Sequence, residues 1–124
     1  MSNTRQSSHH LNRVTLTGST KAGALTLNPP QIFNSFIRQI VVLPTTRTGD
    51  NPTIFNFYIV DEAGEIFRMN QTEAYLNTAI NSQGEQQPPL ELPAYGTLTV
   101  YIAGSKDSTN AARDEAYTVL IYYE

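Results

Sequence analysis

Ala116-Tyr117-Thr118-Val119-Leu120-Ile121-Tyr122-Tyr123 is the stretch that decides the fold. Nearly every residue in it is β-branched or aromatic, and none is Gly or Pro. Such side chains suit a pleated surface covered by neighbours. Alternation puts Tyr117, Val119, Ile121 and Tyr123 on one face and Ala116, Leu120 and Tyr122 on the other. Both sets are apolar enough to bury. Left open, the segment is an aggregation template. It therefore reads as an inner strand, paired along both edges.

Working backward from it, the chain parses into short extended runs. Arg13 to Gly18 is a strand with Val14 and Leu16 inward, followed by a turn over 19–23 and a second strand over Ala24 to Leu27. Asn28-Pro29-Pro30 ends that strand, because Pro donates nothing to a ladder. After a connection over 31–35 comes FIRQIVVL (36–43), closed by Pro44. The loop TTRTGDNP (45–52) leads to TIFNFYIV (53–60), with Phe55, Phe57 and Ile59 on one face. Asp61-Glu62-Ala63-Gly64 turns the chain, and 65–69 pairs back as a hairpin.

Residues 70–80 are the helical candidate. Asn70 can cap, Glu73 follows three residues later, and Tyr75, Leu76, Ala79 and Ile80 approach helical spacing. A loop or short strand stays open as the alternative. NSQGEQQPP (81–89) reads as an exposed loop, and 90–92 as a short strand stopped by Pro93. Thr97 to Ala103 is a strand with Leu98, Val100 and Ile102 inward, and a long polar loop over 104–114 returns the chain to its last strand. All seven prolines fall between these runs. About eight strands at spacing near ten residues imply an all-β, antiparallel β-sandwich. The long polar connections favour crossings between two sheets, hence a jelly-roll-like arrangement.

With 124 residues the chain makes one domain with one core. No apolar run approaches the roughly 20 residues of a membrane span. MSNTRQSSHHLNR at the N-terminus has no apolar stretch and does not read as a signal peptide. Without Cys there is no disulfide and no thiolate metal site. Residues 1–12 are too polar to offset their own ordering entropy and read as an extended arm preceding a domain over 13–124. Charge is uneven: Arg5, Arg13, Lys21, Arg38 and Arg47 precede the first acid, Asp50, whereas the rest of the chain carries eleven acids against Arg68, Lys106 and Arg113. Either the halves interleave and the asymmetry vanishes in space, or a basic arm meets an anionic partner.

Catalytic chemistry finds little footing. His9 and His10 are the only histidines, and adjacent residues of an extended arm point opposite ways, which suits one metal ion poorly. No histidine is available for a triad outside the arm, and no GxSxG or phosphate-cradling glycine loop occurs. Asp61, Glu62 and Glu65 lack the spacing of a calcium loop and read as charges that keep an edge hairpin soluble. No acid is placed opposite another as glycoside hydrolysis requires. The expectation is a non-enzyme with no cofactor and no metal. Tyr58, Tyr75, Tyr95, Tyr101, Tyr117, Tyr122 and Tyr123 either finish the core with their hydroxyls toward water or offer aromatic faces to a sugar or protein. No basic patch with interleaved aromatics points to specific nucleic-acid binding.

The polar arm, FIRQIVVLP (36–44), the hairpin IFNFYIVDEAGEIF (54–67) and the closing LPAYGTLTVYIAG…EAYTVLIYYE together resemble the small β-sandwich structural proteins of tailed bacteriophages, of the capsid decoration or cement type. The resemblance lies in strand rhythm over residues 36–124. It implies a virion structural protein, made in the host cytoplasm and seated on the capsid exterior. Its partners would be the major capsid protein and further copies of itself, a trimer in the style of the family, with no membrane partner. Arg5, His9, His10 and Arg13 are then the candidate partner-binding residues of the arm, the arginines meeting acidic coat surface. The alternatives are a carbohydrate- or receptor-binding module at a virion surface, motivated by the tyrosines and polar loops, and a tail or collar component.

Overall fold

A computed structural model describes residues 11–20, 25–46, 53–81, 90–104 and 115–124. Among the described residues, nine strands form two antiparallel sheets. In chain order they are β1 (Asn12–Ser19), β2 (Leu25–Leu27), β3 (Phe33–Thr46), β4 (Thr53–Asp61), β5 (Gly64–Ala74), β6 (Ile80–Asn81), β7 (Leu92–Gly96), β8 (Thr99–Ala103) and β9 (Ala116–Tyr123). One sheet runs β1-β9-β3, with β6 and β7 sharing the far edge of β3. The other runs β2-β8-β4-β5. Only β4–β5 and β6–β7 stay in one sheet while the chain advances; every other step crosses. That strand order is a jelly roll, the sandwich expected from the long polar connections.

The closing strand β9 is an inner strand, paired with β1 on one edge and β3 on the other. Its inward residues Tyr117, Val119 and Ile121 are buried, whereas Ala116, Thr118, Leu120 and Tyr122 are only half-buried on the outer face. The expectation that both faces bury is thus met on one face alone. Opposite β9, the β4 residues Phe55, Phe57 and Ile59 fill the gap between the sheets, with Val100 and Ile102 of β8 beside them. Phe55 meets Tyr117 edge-on, ring centroids 5.5 Å apart, one of the contacts that join the two layers. Within the described residues strands of the two halves interleave, β1 beside β9, and Arg38 of the basic half pairs with Glu124 of the acidic half.

Several local readings need correction. Residues 70–80 are not helical. β5 continues to Ala74, which is buried opposite Thr53, and a turn follows at 76–77. The strand passes through a bulge in which two residues, Asn70 and Gln71, oppose Asn56. Gln71 takes a left-handed conformation (φ 49°), and its N–H donates to Asn56 Oδ1 at 2.8 Å. Tyr75, Leu76 and Ala79, the apolar side of the expected helix, are all exposed. Continuing the ladder with β4 satisfies backbone groups that a short helix of weak amphipathicity would leave open.

Two prolines also lie inside strands. Pro44 sits in β3 at an irregularity between Pro44 and Thr46, and Pro93 sits in β7, which pairs only with β3. Bulges and edge strands are where a missing donor is tolerated. Consequently the short strand placed at 90–92 is instead β7, running on through Tyr95 to Gly96.

Candidate functional site

The Asp61–Gly64 turn is built as expected but is not a set of loose surface charges. Asp61 is buried, and its Oδ1 accepts from the N–H of Ala63 at 2.7 Å and of Gly64 at 3.1 Å. Its Oδ2 accepts from Tyr95 N–H at 3.0 Å. Glu62 N–H donates to the Tyr95 carbonyl at 3.2 Å, and Glu62 Oε2 accepts from Thr97 N–H at 2.8 Å. The β4–β5 turn of one sheet therefore clamps the end of β7 in the other. Gly96 makes this possible. Its φ is +76°, and a Cβ there would overlap the Glu62 carboxylate, lying 2.8 Å from Cγ. Glu65 turns away to Arg68, whose hydrogen bond holds its carboxyl below the usual carboxylate range. The three acids diverge instead of converging on a cation.

A second polar knot sits at the opposite end of the sandwich, where sequence reasoning placed only a loop. Glu115, just before β9, is fully buried. Its Oε1 accepts from the Tyr117 hydroxyl at 3.0 Å, and its carbonyl accepts from Thr20 N–H at 2.8 Å and from Thr20 Oγ1 at 3.2 Å. Burial, reinforced by the neighbouring carboxylate, pushes the Tyr117 hydroxyl far above the ordinary tyrosine range. A Cβ on Gly104 would overlap Glu115 Oε1 and sit 3.2 Å from Thr20 Oγ1. The signal was present in the sequence: Glu115 shares alternation parity with Tyr117, Val119 and Ile121, so it had to point inward with them. Glu115 and the Asp61–Glu62 turn sit at opposite ends of the fold and do not form a pair of opposed carboxylates.

The tyrosines do not assemble a sugar platform. Tyr95 and Tyr75, the most exposed, are 61% and 63% accessible. Tyr95 lies opposite Asn34 at the start of β3, and the turn after Tyr75 bonds to Pro44 near its end. Tyr95 is moreover on β7 and not in a loop. Tyr58 and Tyr101 stack on each other, centroids 4.6 Å apart and planes 17° from parallel. The Arg68 guanidinium lies over the Tyr58 ring at 4.5 Å. These ring faces are occupied by one another and by a cation.

Of the candidate arm residues, Arg5, His9 and His10 lie outside the described residues. Arg13 lies in β1, exposed, with its backbone opposite Tyr122. Leu11 and Asn12, where the arm joins, are exposed at the start of an edge strand.

No family model matches the chain, and no curated protein matches it. Among solved structures, a chain from "Structure of infectious bursal disease virus Gx strain" is similar over 93% of this chain at 12% identity, with a TM-score of 0.38. This chain spans 36% of that one.

Proposed function

We infer that the protein is a non-enzymatic structural component of a virion, decorating a phage capsid by binding its coat subunits. The observation that carries this reading is where the arm meets the fold. A jelly roll with a buried carboxylate at each end presents β1 as an edge strand, and the polar leader enters it at exposed Leu11 and Asn12. A leader that joins the fold at its rim is placed to reach a neighbouring surface. The strand rhythm shared with decoration and cement proteins supports the same conclusion. Ordering the leader costs free energy, so repeated attachment through a homo-oligomer on a repeating lattice is what makes the hold tight. Arg5, His9, His10 and Arg13 supply the contacts to acidic coat surface.

The experiment is capsid co-sedimentation of the full chain and of a chain lacking residues 1–12, with copy number per particle measured alongside. Hundreds of copies and a binding loss of tenfold or more on truncation are expected. Undiminished binding by the truncated chain refutes the role of the arm. A dozen copies or fewer would place the protein in a tail or collar.

A further inference from the structure

The two outer faces of the sandwich differ in kind. On the four-stranded sheet the central row reads Thr26, Tyr101, Tyr58, Arg68, with Glu65 and Glu73 nearby on β5. Its aromatic rings are mutually stacked and capped by charge. The five-stranded sheet instead carries an outward apolar stripe across its two central strands. Leu120 lies opposite Val41, Thr118 opposite Leu43, and Tyr122 opposite Gln39; further along β3 the Arg38 guanidinium covers the Phe36 ring at 5.2 Å. All are half-buried or exposed.

Charges on this sheet are few. Arg38 is paired with Glu124 (Nε to Oε2, 2.7 Å). Arg13 and Glu91 remain, both exposed and without a partner among the described residues. They stand at opposite lateral edges but at one level. Arg13 is opposite Tyr122, which is opposite Gln39; Leu92 is opposite Ile37 and Leu90 N–H donates to the Arg38 carbonyl, which sets Glu91 beside Arg38.

We propose that a second copy of this chain packs on the outer face of the five-stranded sheet, about a two-fold axis running along the strands between β9 and β3. Such an axis exchanges the lateral edges and preserves the level. It therefore lays β9 over β3 of the partner and brings Arg13 of each copy over Glu91 of the other. Strand directions stay aligned, as in face-to-face sheet packing. The contact is isologous, with the stripe meeting its own counterpart. At about 4.8 Å between strands and 3.3 Å per residue, four columns by eight residues present roughly 500 Å² of face per copy. The total near 1,000 Å² is at the floor for a specific interface. The pair takes the place of the threefold assembly that the family style implies, and it does not depend on capsid binding.

Sedimentation equilibrium of the full chain between about 1 and 100 µM tests it. A monomer–dimer equilibrium is expected. Leu120→Glu should abolish the dimer, with circular dichroism checking that the fold is kept. Arg13→Glu and Glu91→Arg should each weaken association several-fold, and the two together should restore it, because the swapped charges meet again across the axis. These surface changes keep the test valid even where Leu120→Glu fails to fold. A monomer throughout, a trimer, or a charge swap without rescue overturns the proposal. Loss of capsid binding by Leu120→Glu in a protein that is always monomeric would assign the face to a coat subunit instead.

Discussion

Gly96→Ala tests the clamp between the sheets, and its magnitude can be worked out from two separable causes. The first is backbone: at φ +76° an L-residue costs about 1 kcal/mol relative to Gly. The second is steric. The new Cβ overlaps the Glu62 carboxylate, which must swing away and give up its bonds to Thr97 N–H and Oγ1. Glu62 is exposed, so solvent screening holds those bonds to about 1 kcal/mol together. The single change therefore costs about 2 kcal/mol, a fall in Tm of about 8 °C for a chain of this size. Glu62→Ala alone costs about 1 kcal/mol. In that background no carboxylate remains to be displaced, so adding Gly96→Ala costs only the backbone share. The double variant is then no less stable than Gly96→Ala alone, a coupling of about 1 kcal/mol. Urea denaturation of the four proteins reads this directly. Strict additivity, with the double variant near 3 kcal/mol, would show that Glu62 does not occupy the space above Gly96 and would refute the clamp.

Three further outcomes follow from the same physics. Tyr117 has a folded-state pKa raised above its unfolded value, so its contribution to stability is complete below about pH 10 and is lost as pH rises beyond it. Tyr117→Phe should make the decline above pH 10 shallower by up to about 1.4 kcal/mol per pH unit, seen by urea unfolding at pH 9 to 11.5; an unchanged slope would mean that Tyr117 ionises in the folded protein. Gly104→Ala should destabilise by about 1–3 kcal/mol, because its methyl displaces a fully buried carboxylate from the Tyr117 hydroxyl; a neutral result in thermal melts would show the knot to be slack. Arg68→Ala should leave stability nearly unchanged, since its pair with Glu65 is exposed and screened by solvent, and a clear loss by calorimetry would contradict that weighting.

The fold was legible wherever one face of a strand carried the pattern alone. Val14 and Leu16, Phe55 to Ile59, Leu98 to Ile102 and Tyr117 to Ile121 alternate cleanly, and all of these inward positions are buried. Legibility failed where pairing overrode local preference. Residues 70–74 have the residues of a capped helix, yet the bulge at Asn70 and Gln71 re-aims Thr72 and Ala74 inward without breaking the ladder. A bulge shifts parity by one, and a period-two reading does not survive such a shift. Pro44 and Pro93 misled for a related reason: whether a strand tolerates proline depends on which edge is free, which only the topology reveals. Of the two polar clusters, Glu115 was recoverable from parity. The Asp61 contact with Tyr95 was not, because they stand 34 positions apart in the sequence and nothing between them signals that they meet.

The placement of these clusters bears on where recognition can occur. Asp61 and Glu62 fasten one end of the sandwich, and Glu115 with Thr20 fastens the other. Asp61 ties its turn to β7 across the two layers, and the Glu115 carboxylate accepts from Tyr117 within its own sheet; releasing either to bind a ligand would leave donors open, at a cost of about 1–3 kcal/mol for each. The four-stranded face is likewise self-contained, its rings stacked and its guanidinium engaged. What stays uncommitted among the described residues is the stripe of Val41 and Leu43 on β3 with Leu120 and Tyr122, its lone Arg13 and Glu91, and the exposed entry at Leu11. If the protein binds a macromolecular neighbour as proposed above, a broad sheet face and a strand start are what it presents. Both suit a flat macromolecular neighbour better than a small ligand, which would require a concave site.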